Sequence, residues 1–221
     1  MLFEYDDTSK IGFPHLGRRV PKNLDHVRFS WIPWLGVDHG ANRKDYIYTP
    51  KASYSKGSNR LITQLHAMIR RAKTNYNHPQ HRARTLICIS DSASDQKNNE
   101  LLAYCTELVQ ECWFDAVELL YGPVGHTHNG VDAVHKTHNQ HVGEFPAGDL
   151  GHWVRNFNKV FTKTPGACIL DVILDWREYY KPRLARISGF TKTQTQNCSV
   201  RGFRIAKQKD GSVDLRWKED P

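Results

Sequence analysis

Two continuous apolar runs of strand length, separated by one amphipathic helical stripe, constrain the fold of this chain more than any other feature. The first run, RTLICIS, occupies 84–90 and ends at Asp91, and the second, AVELLYGPV, occupies 116–124. Between them, apolar residues recur at helical spacing from Leu101 to Cys112. A strand that is apolar throughout is typical of parallel strands buried under helices. The segment therefore predicts a β-α-β unit inside a helix-covered sheet.

The residues before this unit predict three further strands and a helix. The chain opens with a short strand-like run that ends at Asp6, and residues 26–40 and 43–50 read as an antiparallel pair. An amphipathic helix follows, with Ser58 as its predicted N-cap. The order of elements indicates the α/β class, with a mixed five-stranded sheet flanked by helices.

Residues 146–221 predict a C-terminal extension made of a helix and a β-hairpin. The hairpin turns around Asp210, and a three-residue loop with a bulge would pair Ile205 with Trp217 on one face. The expected domain division is therefore a core over residues 1–145 followed by this extension.

Charge is unevenly distributed along the chain, whose formal net charge is +8. Residues 43–84 contain ten lysines and arginines against one acid, and residues 177–209 contain nine against one. Residues 91–118 invert the balance, with seven acids against one lysine. Two basic flanks around an acidic middle favour a polyanion-binding protein that holds cations at its centre, although solvated surface helices give the same pattern.

Cysteine usage and hydropathy indicate an intracellular protein. The five cysteines are odd in number and show no CxxC spacing, which favours a reduced compartment. The chain contains no run of eighteen apolar residues and no signal-peptide pattern, so we expect neither a membrane span nor a membrane partner.

Three aspartates stand where a strand ends or where the following helix begins: Asp6, Asp91 and Asp132. If the first and fourth strands are neighbours, the first two carboxylates lie side by side and the third faces them. Two divalent ions about 4 Å apart need such a set of acids, and they catalyse phosphodiester chemistry. The pattern predicts a site for two Mg²⁺ or Mn²⁺ ions, although acids also end strands and cap helices without any catalytic role.

Four stretches, in order along the chain, resemble a known family. DSASDQKNN at 91–99 and GPVGHTHNGVD at 122–132 resemble the "DN…QNKN" and "GHT…D" signatures of uncharacterised eukaryotic transposase-like proteins. FEYDDTSKIGFP at 3–14 and SYSKGSNRLITQLHAMI at 53–69 resemble that family's opening strand and "KGAN" helix. Those proteins carry a transposon-derived, ribonuclease H-like integrase domain. The resemblance covers about residues 3–145.

The resemblance implies a two-metal polynucleotidyl transferase or nuclease that acts on DNA in the nucleus. Its acidic triad falls on Asp6, Asp91 and Asp132, as catalytic residues and metal ligands. The sequence departs from the family pattern at two positions, since Ser92 stands where Asn is usual and Asp95 where Gly is common.

Other residues are candidates for roles around the acids or along bound DNA. Five could replace a ligand, orient a carboxylate or contact a phosphate: Asp7, His126, His128, Lys97 and Asn98. The cations expected to contact the DNA backbone lie in the first basic flank: Arg43, Lys44, Lys56, Arg60, Arg70 and Arg71. In the second flank, aromatic residues interleave with the cations: Trp176, Tyr179 and Tyr180.

Two alternatives stay open. The same fold could be a domesticated, catalytically inactive module that binds DNA or a protein. A histidine-rich metallohydrolase could instead hold zinc through His126, His128, His135 and His138, although no cysteine pair accompanies them. DNA and a second copy of the chain are the expected partners.

Overall fold

A computed structural model of the chain describes residues 1–7, 11–13, 29–40, 43–50, 57–75, 84–90, 97–122, 131, 134, 136, 146–160, 166–184 and 200–219. The strands are β1 (Leu2–Asp7), β2 (Ile11–Phe13), β3 (Phe29–Asp38), β4 (Arg43–Pro50), β5 (Thr85–Ser90), β6 (Ala116–Tyr121), β7 (Gly166–Ile169), β8 (Val200–Lys207) and β9 (Val213–Glu219). The helices are α1 (Ser58–Asn75), α2 (Asn99–Gln110), α3 (Leu150–Val160) and α4 (Trp176–Leu184). Val131, Val134 and Lys136 are also helical. Among these described helices, none is long and apolar enough to cross a membrane.

The strands form one open, mixed sheet in the order β7-β4-β3-β1-β5-β6-β8-β9, and β2 pairs with the beginning of β3. Strand β1 is antiparallel to β3 and parallel to β5, and β5 is parallel to β6. The predicted α/β class and mixed sheet are therefore confirmed. The sheet is wider than the five predicted strands because β7 adds to one edge and β8 with β9 to the other.

One face of the sheet, here called the α2 face, packs against α1, α2 and α4. Phe3 and Tyr5 of β1 lie in its core with at most 1% of their surface exposed, together with Leu65 of α1. Helix α1 approaches β3 closely because Gly36 has no side chain. A Cβ atom added there would lie 2.2 Å from Met68 Sδ and 2.8 Å from Trp34 Cζ3, so these side chains would have to move to make room for it.

The opposite face, here called the α3 face, packs against α3 and the helical residues Val131 and Val134. Its core is aromatic at the β4 end of the sheet, where the indole Nε1 of Trp153 donates to the hydroxyl of Tyr48 over 3.1 Å. The hydroxyl of Tyr46 donates to the carbonyl oxygen of Val134 over 3.2 Å. Helices therefore cover the α2 face at β1 and β5 and the α3 face at β3 and β4, whereas Ile87 and Ile89, the β5 residues of the α3 face, are only partly buried.

Two local predictions are wrong in detail. The hairpin pairs Ile205 with Leu215, not with Trp217. The loop has three residues, 209–211, as predicted, because Gln208 donates its backbone N–H to the carbonyl oxygen of Ser212 over 2.8 Å and Gly211 adopts φ +86°. It is centred on Asp210, one position earlier than the predicted pairing requires, and Asp210 accepts hydrogen bonds from both the backbone and the hydroxyl of Ser212.

The second correction concerns the start of α1. The first backbone hydrogen bond runs from Leu61 to the carbonyl oxygen of Gly57 over 3.1 Å, so Gly57 is the cap and Ser58 is the first helical residue. Gly57 has φ +154°, a conformation that residues with a side chain rarely adopt.

Candidate active site at the ends of the central strands

The two central parallel strands lie in a register that relates the first two predicted acids. Each paired β1 residue lies beside the β5 residue 85 positions later, as Glu4 does beside Ile89. Asp91 follows Asp6 by the same 85 positions in the sequence. The backbone of β1 continues to Asp7, and β5 ends at Ser90, directly before Asp91. The carboxyl ends of these strands are therefore neighbours.

Asp6 and Asp7 occupy strand positions that belong to opposite faces of the sheet. Asp6 pairs with Leu35 of β3, and Asp7 pairs with Trp34. Leu35 is buried in the core of the α3 face, whereas Trp34 is buried in that of the α2 face. Directly paired residues of antiparallel strands share a face. The side chains of both aspartates lie outside what the structure describes.

The third predicted acid follows a residue that is buried on the α3 face. Val131 is fully buried in the same hydrophobic core as Leu35, the β3 partner of Asp6. Asp132 comes directly after Val131 in the sequence. Val131 thus packs on the face to which the position of Asp6 belongs.

Five of the predicted site residues lie outside the described residues: Asp91, Asp132, His126, His128 and Lys56. Within the described part of the chain, no group of three or more histidine, cysteine, aspartate or glutamate side chains is arranged to hold a metal ion. The side chains of the three acids lie outside the described part, so the predicted Mg²⁺ or Mn²⁺ ligands stay a prediction.

Lys97 is buried beside the carboxyl end of β6. The residue is only 2% exposed, and its Nζ donates to the carbonyl oxygen of Val200 over 2.8 Å. The ammonium group also lies 4.8 Å from the centre of the Tyr121 ring. Partners of this kind compensate for the loss of water around a buried cation. Lys97 therefore links the segment before α2 to the end of β6 and the beginning of β8.

Asn98 is the N-cap of α2. Its side-chain Oδ1 accepts a hydrogen bond from the backbone N–H of Leu101 over 2.7 Å. Asparagine is among the residues preferred at the N-cap position. The sequence therefore also indicates a capping role for Asn98, in addition to the predicted contact with a phosphate.

The cations of the first basic flank differ in exposure. Arg70 is exposed, whereas Arg60 is only 3% exposed and so lies in the interior of the protein. Arg71 is partly exposed, with its Nη1 3.7 Å from Oδ1 of the buried Asp45. Arg43 and Lys44 lie on β4, and their side chains are outside the described part.

The cations of α4 are paired with carboxylates of the same chain. The pairs are Arg177 with Glu100 at 3.5 Å, Lys181 with Glu178 at 3.2 Å, and Arg183 with Glu107. Of the interleaved aromatic residues, Tyr180 is fully buried, whereas 49% of the surface of Tyr179 is exposed. These carboxylates therefore compete with any DNA phosphate for the cations of α4.

The two faces of the central strands differ in polarity. On the α2 face, burial raises the pKa of Tyr5 well above its usual range and that of the Cys88 thiol to about 12. On the α3 face, His39 Nε2 lies 2.9 Å from a carboxylate oxygen of Glu4, and both side chains are partly accessible to water. No sequence spacing signals this pair, because its members are 35 residues apart and meet only through the pairing of β1 with β3.

These features define a class of protein: an open, mixed α/β sheet covered by helices, with aspartates at the ends of its central strands. The chain belongs to the family described as domain of unknown function (DUF7869), whose model matches residues 36–221. The match includes the positions of Asp91 and Asp132 but not that of Asp6. No curated protein and no solved structure matches the chain.

Proposed function

We propose that this chain is a ribonuclease H-like, transposase-type domain that breaks or transfers phosphodiester bonds of DNA, with Asp6, Asp91 and Asp132 as its carboxylates. The observation that carries the proposal is the register of β1 with β5. Paired residues of these strands are 85 positions apart, and so are Asp6 and Asp91. A register that continued past the last described pair would make the two acids direct neighbours.

The strand order also supports the proposed fold. In a ribonuclease H-like sheet the first strand lies at the centre, beside the fourth strand. The sequence predicts five such strands for this chain. Here β1 lies at the centre of the sheet and pairs with β5, the fourth of those strands. Four strands lie beyond this set. Strand β2 pairs with the beginning of β3, and β7, β8 and β9 extend the two sides of the sheet, so the order at the centre is unchanged.

The position of the third acid fits the same face. Alternation along β1 gives position 6 to the α3 face, the face on which Val131 is buried. Asp132 adjoins Val131 in the sequence, so we assign all three carboxylates to a single site on this face. Asp7 adjoins Asp6 but belongs to the opposite face, so we favour Asp6 as the ligand.

The donor set fits hard divalent cations. Carboxylate oxygens are ligands that Mg²⁺ and Mn²⁺ prefer, and three aspartates suffice for two ions that share one carboxylate. Such ions, when bound, activate the attacking water or 3′-hydroxyl and stabilise the leaving oxygen. The chain itself contributes two hydrogen-bonded strands, one of which carries Asp6 while the other ends directly before Asp91. It also carries the basic flank at residues 43–84, in which Arg70 is exposed and can reach a DNA phosphate.

The test is nicking of supercoiled DNA by the full chain in the presence of Mg²⁺ or Mn²⁺. We expect Asp6→Asn and Asp91→Asn each to abolish nicking, because an amide cannot replace a bridging carboxylate. Asp7→Asn, one position along the same strand, and Asp171→Asn, at an exposed position before α4, should retain activity. Thermal melting of each variant confirms that the fold is intact.

Binding of Mn²⁺, followed by electron paramagnetic resonance, separates the metal site from the reaction. Binding by the unmodified chain that disappears in Asp91→Asn is expected. Nicking that persists in Asp91→Asn would overturn the assignment. A chain that binds Mn²⁺ through Asp91 and nicks no DNA would be the inactive, domesticated module on the same fold. Because DNA is the proposed substrate, we also propose that the protein is located in the nucleus.

A further inference from the structure

We infer that two copies of this chain associate through the outer edge of β9, with the two Leu215 residues meeting at a twofold axis. Strand β9 ends the sheet on this side, and no strand in the described part of the chain pairs with its outer edge. An edge of this kind presents a row of backbone amide and carbonyl groups that can pair with another strand. The occupant that the residues of β9 favour is a second β9.

The hairpin geometry determines which backbone groups of β9 face outward. Gln208 donates its backbone N–H to the carbonyl oxygen of Ser212 over 2.8 Å, so these residues form a hydrogen-bonded pair. Lys207 donates instead to the carbonyl oxygen of Asp115 over 3.1 Å, away from β9. Hydrogen-bonded and non-bonded pairs alternate along antiparallel strands. The residues of β9 whose backbone groups face outward are therefore Val213, Leu215 and Trp217.

An antiparallel pairing of two β9 strands centred on Leu215 is complementary on both faces. On one face, Leu215 meets Leu215, and Val213 of each copy meets Trp217 of the other. On the opposite face, Asp214 of each copy lies opposite Arg216 of the other. The same register forms backbone hydrogen bonds through all three outward-facing residues, and opposite charges directly across a strand pair are stabilising.

Charge selects this register over its neighbours. A pairing centred on Asp214 places that acid against itself, and one centred on Arg216 places two guanidinium groups together. A pairing centred on Trp217 sets Arg216 against Lys218. Like charges directly opposite one another are destabilising in a strand pair, so the Leu215-centred register has no equal among these four.

The exposure of the side chains is consistent with this interface. Trp217 has 51% of its surface exposed, whereas Val213 and Leu215 are half-buried against the core of the α2 face. A second β9 would extend that apolar layer across the axis. Arg216 and Asp214 already form an ion pair within the chain at 2.7 Å, with 75% and 38% of their side-chain surfaces exposed. Both can therefore reach a second copy.

The inference rests on β9 alone and is independent of the proposed chemistry. Sedimentation equilibrium of the full chain tests it from about 1 to about 100 μM, where an association of this kind is measurable. We expect a mass twice that of the 25.5 kDa chain at the upper end of the range. Arg216→Asp and Asp214→Arg each place two like-charged pairs in the interface, so each variant alone should dimerise at least about tenfold more weakly.

Mixing the two variants is the decisive experiment. An Asp214→Arg chain and an Arg216→Asp chain present opposite charges to each other, so their equimolar mixture should regain the dimer. Because neither chain is altered on mixing, recovery also shows that both are folded. Lys209→Asp, which makes the same kind of charge change in the hairpin loop outside the register, should leave the dimer unaffected. A wild-type chain that is monomeric at the highest concentration overturns the inference, as does a dimer insensitive to both variants or a mixture that remains monomeric.

Discussion

The two faces of the central strands differ in how completely they exclude water. The α2 face excludes water, since Phe3, Tyr5 and Cys88 are at most 1% exposed there. On the α3 face of the same strands, Glu4 and Ile89 are partly accessible. The residues of the two faces alternate along β1, so one strand serves both. Residues that stabilise the core and residues of the candidate site are therefore adjacent along β1, and they differ only in the face of the sheet to which they belong.

The largest expected difference between the faces is in thiol reactivity. Cys88 and Cys105 are buried on the α2 face, and burial raises the pKa of both thiols. Cys112, beyond the end of α2, is exposed. At pH 8 we expect iodoacetamide to modify Cys112 at least about 10³-fold faster than the buried pair, which must wait for the core to open. Peptide mass spectrometry over time measures the rates.

In guanidinium chloride the three thiols should react alike, and similar rates in the native protein would show that the α2 face is not dry. The pKa also gives a sign for the pH dependence. Burial raises the pKa of the Cys88 thiol in the folded chain from its ordinary value to about 12. Its contribution to stability is therefore complete below the unfolded pKa and declines as the pH rises through that interval.

Substitution of adjacent residues of β1 sharpens the comparison. Phe3→Ala removes a fully buried ring from the α2 face and should lower the free energy of unfolding by about 3–5 kcal/mol. Glu4→Ala, on the α3 face, removes only a partly exposed contact with His39 and should cost less than about 1 kcal/mol. Urea denaturation followed by tryptophan fluorescence measures both free energies of unfolding. Equal losses in the two variants would show that the two faces do not differ in their contribution to stability.

A tighter test of packing on the α2 face is Gly36→Ala. The new Cβ would approach Met68 Sδ to 2.2 Å and Trp34 Cζ3 to 2.8 Å, so we expect a loss of about 1–3 kcal/mol in the free energy of unfolding. In a Met68→Ala background the cost should be smaller, because one of the two clashing groups is gone. A double-mutant cycle without such coupling would contradict the close approach of α1 to β3.

A small effect is also expected at Asn98, and it tests whether that residue only supports α2 or also contacts substrate. Loss of an N-cap in Asn98→Ala should cost about 1 kcal/mol, whereas Asn98→Asp keeps an acceptor and should be nearly neutral. Thermal denaturation gives the stability. If Asn98→Ala loses DNA nicking at a temperature where the variant is fully folded, the residue contacts substrate in addition to capping the helix.

Local sequence signals predicted the central elements because each carries its own pattern. The apolar runs that became β5 and β6, and the helical stripe between them, need no distant partner to be recognised. The hairpin of β8 and β9 was also predicted from its turn, but the pairing of the added strands with this sheet was missed for the opposite reason. Strand β7 has only four residues, and its partner β4 lies more than a hundred positions earlier in the chain. No local pattern specifies such a pairing.

The same limit applies to the candidate site. The ends of strands identify Asp6 and Asp91 as candidates, but the register that relates them arises from the packing of the whole sheet. Lys97 shows the limit most clearly, since its carbonyl partner Val200 lies 103 positions away. A lysine in a polar stretch is typical of the surface, and only the fold reveals that this one is buried.

The separation of 85 positions between paired residues of β1 and β5 also shapes how the protein folds. During synthesis, β1 can pair with β3, and β3 with β4, long before β5 leaves the ribosome, so we expect an antiparallel sheet to form first with one side of β1 open. Closing the long loop to β5 carries an entropic cost that grows with its length, and contacts between distant residues slow folding. Until that closure, the central strand is an unprotected edge, and a nascent chain is most exposed to aggregation.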